Sequence, residues 1–299
     1  MYFVKIFVHS VVKSPSYPTK SVDFFSLIIC FLYFRTMQSL YIIKIGGNVI
    51  DNSENLHRFL KDFTALDGHK ILVHGGGKVA TQLSETLGIE AKLVDGRRIT
   101  DIETLRVVTM VYGGLINKNI VAQLQCHGNN AIGLTGADGN FIKARKRPVK
   151  TIDYGFVGDL DDDAVNAEGI SSLLEAGFTP VFAALTHDGN GQMLNTNADT
   201  IASALAVGLA GLYETTLIYC FEKKGVLHDI NDEDSLIRDI NPERYDELKV
   251  AGIIHSGMLP KLDNAFKAIS FGVQAVIIGH ADDLGKMNSD ASFGTRLSK

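Results

Sequence analysis

From Leu40 onward, short apolar runs rich in β-branched residues alternate with amphipathic stretches of helical spacing. That order is met by parallel strands joined by crossover helices, so the chain reads as an α/β fold. Residues 40–45 form the first strand. Leu56, Phe59, Leu60 and Phe63 then recur at helical spacing behind the capping residues Asn52 and Ser53. Residues 70–73 return as a strand, and Val79, Ala80, Leu83 and Leu87 mark the next helix. Thr100 with Glu103 makes a capping-box pattern, opening a long helix with Leu105, Val108, Ile116, Ile120 and Leu124 on its inner side. A strand follows at 131–134. Residues 139–160, mixed in polarity and punctuated by Gly139, Gly155 and Gly158, read as a β-hairpin insertion. Next come a helix near 164–176, a strand at 180–185, a turn at 187–191 and a helix opening at Ala198. Strand 215–219, helix 258–271 and strand 275–278 complete the order. Both halves are expected to share one sheet, with a boundary near 208–213.

Composition narrows the function. In 299 residues, 45% are hydrophobic and 21% charged, which excludes a disordered or collagenous chain. The net charge of -5 argues against a polyanion binder, because phosphate-backbone affinity needs clustered Lys and Arg. Small ligands fit better. Three distant cysteines, Cys30, Cys126 and Cys220, build neither a disulfide framework nor a CxxC pair, which fits a reducing cytosol. Residues 1–36 are rich in aromatics, and their apolar run at 24–34 is too short to span a bilayer as a helix. They read as an extension outside the core, with translation expected to begin at Met37; intact mass of native protein decides this.

Two glycine-rich strand ends carry the first chemical signal. Lys44-Ile45-Gly46-Gly47 and His74-Gly75-Gly76-Gly77 both close a buried strand ahead of a helix. Glycine lets backbone amides approach an anion, and a neighbouring lysine supplies a point charge. A tight turn with a snorkelling lysine is the plainer explanation of the first, and a packed strand-end histidine that of His74. No Walker loop, GxGxxG or protein-kinase signature is present, so a nucleotide needs another kind of site. Arg97 and Arg98 offer guanidinium forks for a carboxylate, or are solvated loop charges. In Asn195-Thr196-Asn197-Ala198-Asp199, Asp199 is suited to hold lysine ammonium groups, while Asn197 is equally suited to cap the helix. Lys261 sits in a first helical turn, where the dipole disfavours a cation and an anionic partner is called for, or it is an ordinary exposed lysine. The basic run 143–147 reads as a solvated hairpin. Asp159, Asp161, Asp162 and Asp163 lack a calcium-loop pattern and read as helix capping, so no metal ligands are assigned.

Taken in order, KIGG (44–47), HGGG (74–77), DGRRIT (95–100), NTNAD (195–199), SGMLPK (256–261) and GTRL (294–297) make residues 40–297 resemble the amino acid kinase family, especially members that phosphorylate N-acyl-glutamates. The resemblance implies a three-layer αβα sandwich around a mainly parallel open sheet, usually dimeric. An acyl-amino-acid lobe would cover 37–209 and an ATP lobe 210–299. It implies ATP-dependent phosphorylation of the side-chain carboxylate of an N-acyl-glutamate, in arginine biosynthesis in the cytoplasm, with Mg2+ carried by ATP. No nucleic acid or membrane partner is implied. Lys44 and Lys261 match the lysines that stabilise the transferring phosphoryl group, and Asp199 the carboxylate orienting them. Gly76 and Gly77 match the pair holding the reacting carboxylate, and Arg98 and Asn195 the groups gripping the α-carboxylate. Gly46 and Gly47 would give amides to the phosphates; Glu222, Lys224, Gly225, Leu227, Ile253 and His255 fall in segments that contact the nucleoside.

The chain departs from the family after its nucleotide-lobe strand, where Cys220-Phe221-Glu222-Lys223-Lys224-Gly225-Val226 stands for an Asp-x-x-Gly-Val turn. The acyl group is expected to be acetyl, with succinyl as the alternative; Arg97, Lys118, Lys143 and Arg145 could each meet an added carboxylate. Carbamate or glutamate kinase activity and a non-catalytic ligand sensor are the other readings.

Overall fold

The computed structural model describes residues 37–94, 97–254, 258–288 and 293–299. The expected extension at 1–36 lies outside them, as does His255. β1 (Ser39–Ile45) buries Leu40, Ile42, Ile43 and Ile45 completely. Each such side chain contributes about 1.5–3 kcal/mol on burial, and a near-continuous apolar strand is what a parallel sheet covered on both faces requires. α1 (Ser53–Ala65) begins as expected, with Asn52 Oδ1 accepting from the Glu54 and Asn55 amides at 3.0 Å. β2 (His69–His74), α2 (Gly77–Thr86) and the hairpin β3 (Leu93–Val94) and β4 (Arg97–Arg98) follow.

The next helix differs from its expected form. Asp101, not Thr100, caps α3 (Ile102–Val108), its carboxylate accepting from the Thr104 amide at 2.8 Å. The helix then widens into a π-helical segment, Thr109–Ile116, before α4 (Asn117–Cys126). The apolar spacing is blind to that widening.

β5 (Ala131–Leu134) is as predicted. The hairpin insertion reduces to β6 (Arg145–Lys146) against β7 (Gly158–Asp159). Its acidic residues do not cap the next helix, which Asn166 caps; Asp161 and Asp159 instead pair with Arg145 and Arg147. After α5 (Ala167–Glu175), the strand expected at 180–185 divides into β8 (Thr179–Ala183) and β9 (Leu185–His187). β9 turns away to pair with β10 (Met193–Asn195). α6 (Ala198–Leu209), β11 (Glu214–Phe221), β12 (Asp239–Ile240), α7 (Pro242–Val250), α8 (Leu259–Ser270), β13 (Ala275–His280) and β14 (Thr295–Leu297) complete the order. β12, α7 and β14 are too short or too weakly amphipathic to stand out in the sequence.

One eight-stranded sheet runs in the order β12-β14-β13-β11-β1-β2-β8-β5. Every pair is parallel except β13 with β14. α1 packs with α4, while α6 packs with α5 and α8 and lies on β1, β2 and β11. The sheet is thus continuous across the chain, within a compact unit of residues 38–299. β1 lies between β2 and β11: the chain crosses from β1 to β2 on one side and, after β8, returns to β11 on the other. A crevice opens at such a switch point, beyond the carboxyl ends of the strands.

Candidate active site

The register brings the chemistry-bearing strand ends into line. Ile45 pairs with His74 on one side and Cys220 on the other, so Lys44, the glycine loop after His74, and Phe221 lie at one edge of the sheet. A cavity of about 600 Å³ opens there, lined among others by Lys44, Gly46, Gly47, Gly77, Arg98, Asn195 and Asp199.

Lys44 and Asp199 meet at 2.8 Å from Nζ to Oδ1, with the lysine side chain only 12% exposed. Asn197 makes this contact available by capping α6, its Oδ1 accepting from the Asp199 amide at 2.8 Å and the Thr200 amide at 3.1 Å. In this segment Asn197 caps the helix while Asp199 pairs with Lys44. Lys261, in the first turn of α8, approaches from the far side. Its Nζ lies 3.8 Å from the centroid of the Phe221 ring, and that of Lys44 lies 5.6 Å from the same centroid. The two ammonium groups converge. Burial lowers the Lys261 pKa, Asp199 pulls it back up, and Lys44 lowers it further.

The other end of the cavity suits a carboxylate. Arg98 Nη2 donates to the Gly77 carbonyl at 3.0 Å and to Thr81 Oγ1 at 2.8 Å, the guanidinium also hydrogen-bonds the Tyr112 side chain, and its buried Nη1 has no hydrogen-bond partner among the described residues. A guanidinium nitrogen placed this way can donate to a carboxylate in the cavity. Asn195 donates from Nδ2 to Thr100 Oγ1 at 3.0 Å. Gly76 adopts φ 153°, ψ 28°, and a Cβ there would clash with Ile116 Cδ1.

His74 explains how the glycine loop is held. The imidazole is fully buried, with Nδ1 2.8 Å from the Gly75 carbonyl and Nε2 3.0 Å from Asn117 Nδ2. A carbonyl only accepts, so Nδ1 donates and Nε2 accepts from the amide. Burial holds the ring neutral, with its pKa lowered to about 4.

Gly76, Glu222, Lys224, Gly225, Leu227, Ile253 and Lys261 do not line this cavity. Lys224 pairs with Glu233 and Asp234. Gly225 has φ 157° and leaves no room for a Cβ against Thr295. Sequence reasoning missed Tyr112, Tyr219 and Phe221. Phe221 at least stood in the one loop that departs from the family pattern. Among the described residues, no group of three or more His, Cys, Asp or Glu is arranged for a metal.

Comparison with known proteins gives concordant findings. Residues 39–280 match the model of the amino acid kinase family. The chain is 62% identical over 263 residues to an acetylglutamate kinase of Cytophaga hutchinsonii, covering 87% of this chain and 99% of that one. It is 41% identical over 247 residues to an acetylglutamate kinase of Methanopyrus kandleri, covering 81% and 96%. The crystal structure of a carbamate kinase from Giardia lamblia bound to AMP-PNP has the same fold, with a TM-score of 0.60 at 15% identity over 88% of this chain and 99% of that one.

Proposed function

Since this chain belongs to the amino acid kinase family, we propose that it transfers the γ-phosphoryl group of ATP to the side-chain carboxylate of N-acetyl-L-glutamate, giving an acyl phosphate in arginine biosynthesis. The observation that carries this reading is the convergence of Lys44 and Lys261 beside Asp199 at the sheet edge, next to a cavity with an open guanidinium. The reaction brings two anions together in line, so catalysis is mainly alignment and charge neutralisation. No general base is needed, because the attacking carboxylate is ionised at neutral pH.

Arg98 and Asn195 grip the α-carboxylate, and the amides of Gly76 and Gly77 hold the carboxylate that attacks. Lys44 and Lys261 take up charge on the transferring phosphoryl oxygens, with Asp199 fixing Lys44. Gly46 and Gly47 offer amides to the phosphates, and the segments with Glu222, Lys224, Gly225, Leu227, Ile253 and His255 meet the nucleoside. Magnesium arriving with ATP would supply further charge neutralisation. Residues 37–209 then serve the acyl amino acid and 210–299 the nucleotide.

The reading includes a cytoplasmic homodimer. No helix among the described residues is long and apolar enough to cross a membrane. The test is a substrate panel with ATP, trapping acyl phosphate with hydroxylamine. N-acetylglutamate is expected to give the highest kcat/KM, ahead of N-succinylglutamate, glutamate and carbamate. A clear preference for succinyl would overturn the acetyl assignment, and no trapped product with either acyl-glutamate would overturn the activity.

A further inference from the structure

Phe221, the last residue of β11, has no part in the mechanism above, yet both site lysines lie over its ring, at 3.8 Å for Lys261 and 5.6 Å for Lys44. An ammonium within about 6 Å of a ring centroid is attracted to the negative face of the π-system. The ring is itself fixed. It stacks on Tyr219 with centroids 6.0 Å apart and an interplanar angle of 24°. The Tyr219 hydroxyl in turn donates to the Asp199 backbone carbonyl at 3.3 Å. One aromatic pair therefore joins β11, the first turn of α6 and both ammonium groups.

We propose that Phe221 is a positioning residue, which holds the Lys261 ammonium over its ring beside Lys44 and yields it to the transferring phosphoryl group. This rests on the assignment of Lys261 given above. Asp199 is committed to Lys44, and no ion pair to Lys261 occurs among the described residues. Without the ring, Lys261 would turn to the same carboxylate and loosen its hold on Lys44. A carboxylate dedicated to Lys261 would fix it more strongly, but phosphoryl oxygens would then have to displace that carboxylate. A ring face attracts the cation more weakly and competes little with an incoming dianion. The arrangement favours an ammonium that is aimed in advance and surrendered easily, which is preorganisation aimed at the transition state.

The experiment replaces Phe221 with Leu, Tyr and Trp, and also with phenylalanines bearing one, two and three ring fluorines. Fluorination drains negative charge from the ring face with little change in size. Phe221→Leu is expected to lower kcat about tenfold with KM for N-acetylglutamate little changed, while Tyr and Trp retain most of the turnover. Across the fluorinated series, kcat is expected to fall with each added fluorine. Should the Leu variant fail to fold, the fluorinated series decides alone. A flat kcat across that series, with Lys261→Ala inactive in parallel, overturns the role of Phe221 and leaves the mechanism standing. Full turnover by Lys261→Ala overturns the mechanism and this proposal with it.

Discussion

Full burial keeps the His74 imidazole neutral, and its two ring hydrogen bonds use the neutral form. Unfolding releases the ring to water, where its pKa returns to about 6.5. The unfolded chain therefore binds the extra proton more readily, and stability is lost as pH falls from about 6.5 to about 4. This residue alone is expected to account for about 3 kcal/mol of that loss. Urea unfolding across this range should show a shallower pH dependence for His74→Gln than for wild type; equal slopes would exclude His74 as the source. Nearby, burial pushes the Cys220 thiol up to about 12, so it behaves as an apolar side chain despite its proximity to Lys44.

The glycine loop and the π-helical segment form one device. Gly76 turns the chain at φ 153° directly against Ile116 and Tyr112, side chains that the π-helical segment presents. Gly76→Ala is expected to destabilise the fold by at least about 2 kcal/mol, combining backbone strain with overpacking. At Gly77 a Cβ would meet nothing within 4 Å, so Gly77→Ala should change stability by less than about 0.5 kcal/mol. Thermal unfolding of the pair checks this, and equal effects would contradict it. The strands and most helices were legible because burial on both faces writes continuous apolar runs, as in β1 and β11. The division between β8 and β9 and the widening at Thr109 were not, since neither alters the hydrophobic period. The cap at Asp101 was read one residue early because Thr100 fits the same pattern. Its hydroxyl instead receives a hydrogen bond from Asn195, a partner 95 residues away in sequence.

Across the whole molecule, the site depends on which strands are neighbours. β1 comes first in the chain and β11 much later, yet they are adjacent, and α8 delivers Lys261 over the end of β11. The motifs holding Lys44, Asp199 and Lys261 could be picked out separately in the sequence, but the aromatic ring that both lysines approach could not, because an aromatic ending a buried strand reads as core. The central claim is that ammonium groups from both halves of the sheet act on one phosphoryl group. Its most direct test is the turnover of Lys44→Ala and Lys261→Ala with ATP and N-acetylglutamate, alongside their unfolding curves. Each variant is predicted to fold as wild type and to lose about 10²-fold or more in kcat; wild-type turnover in either one would contradict the account.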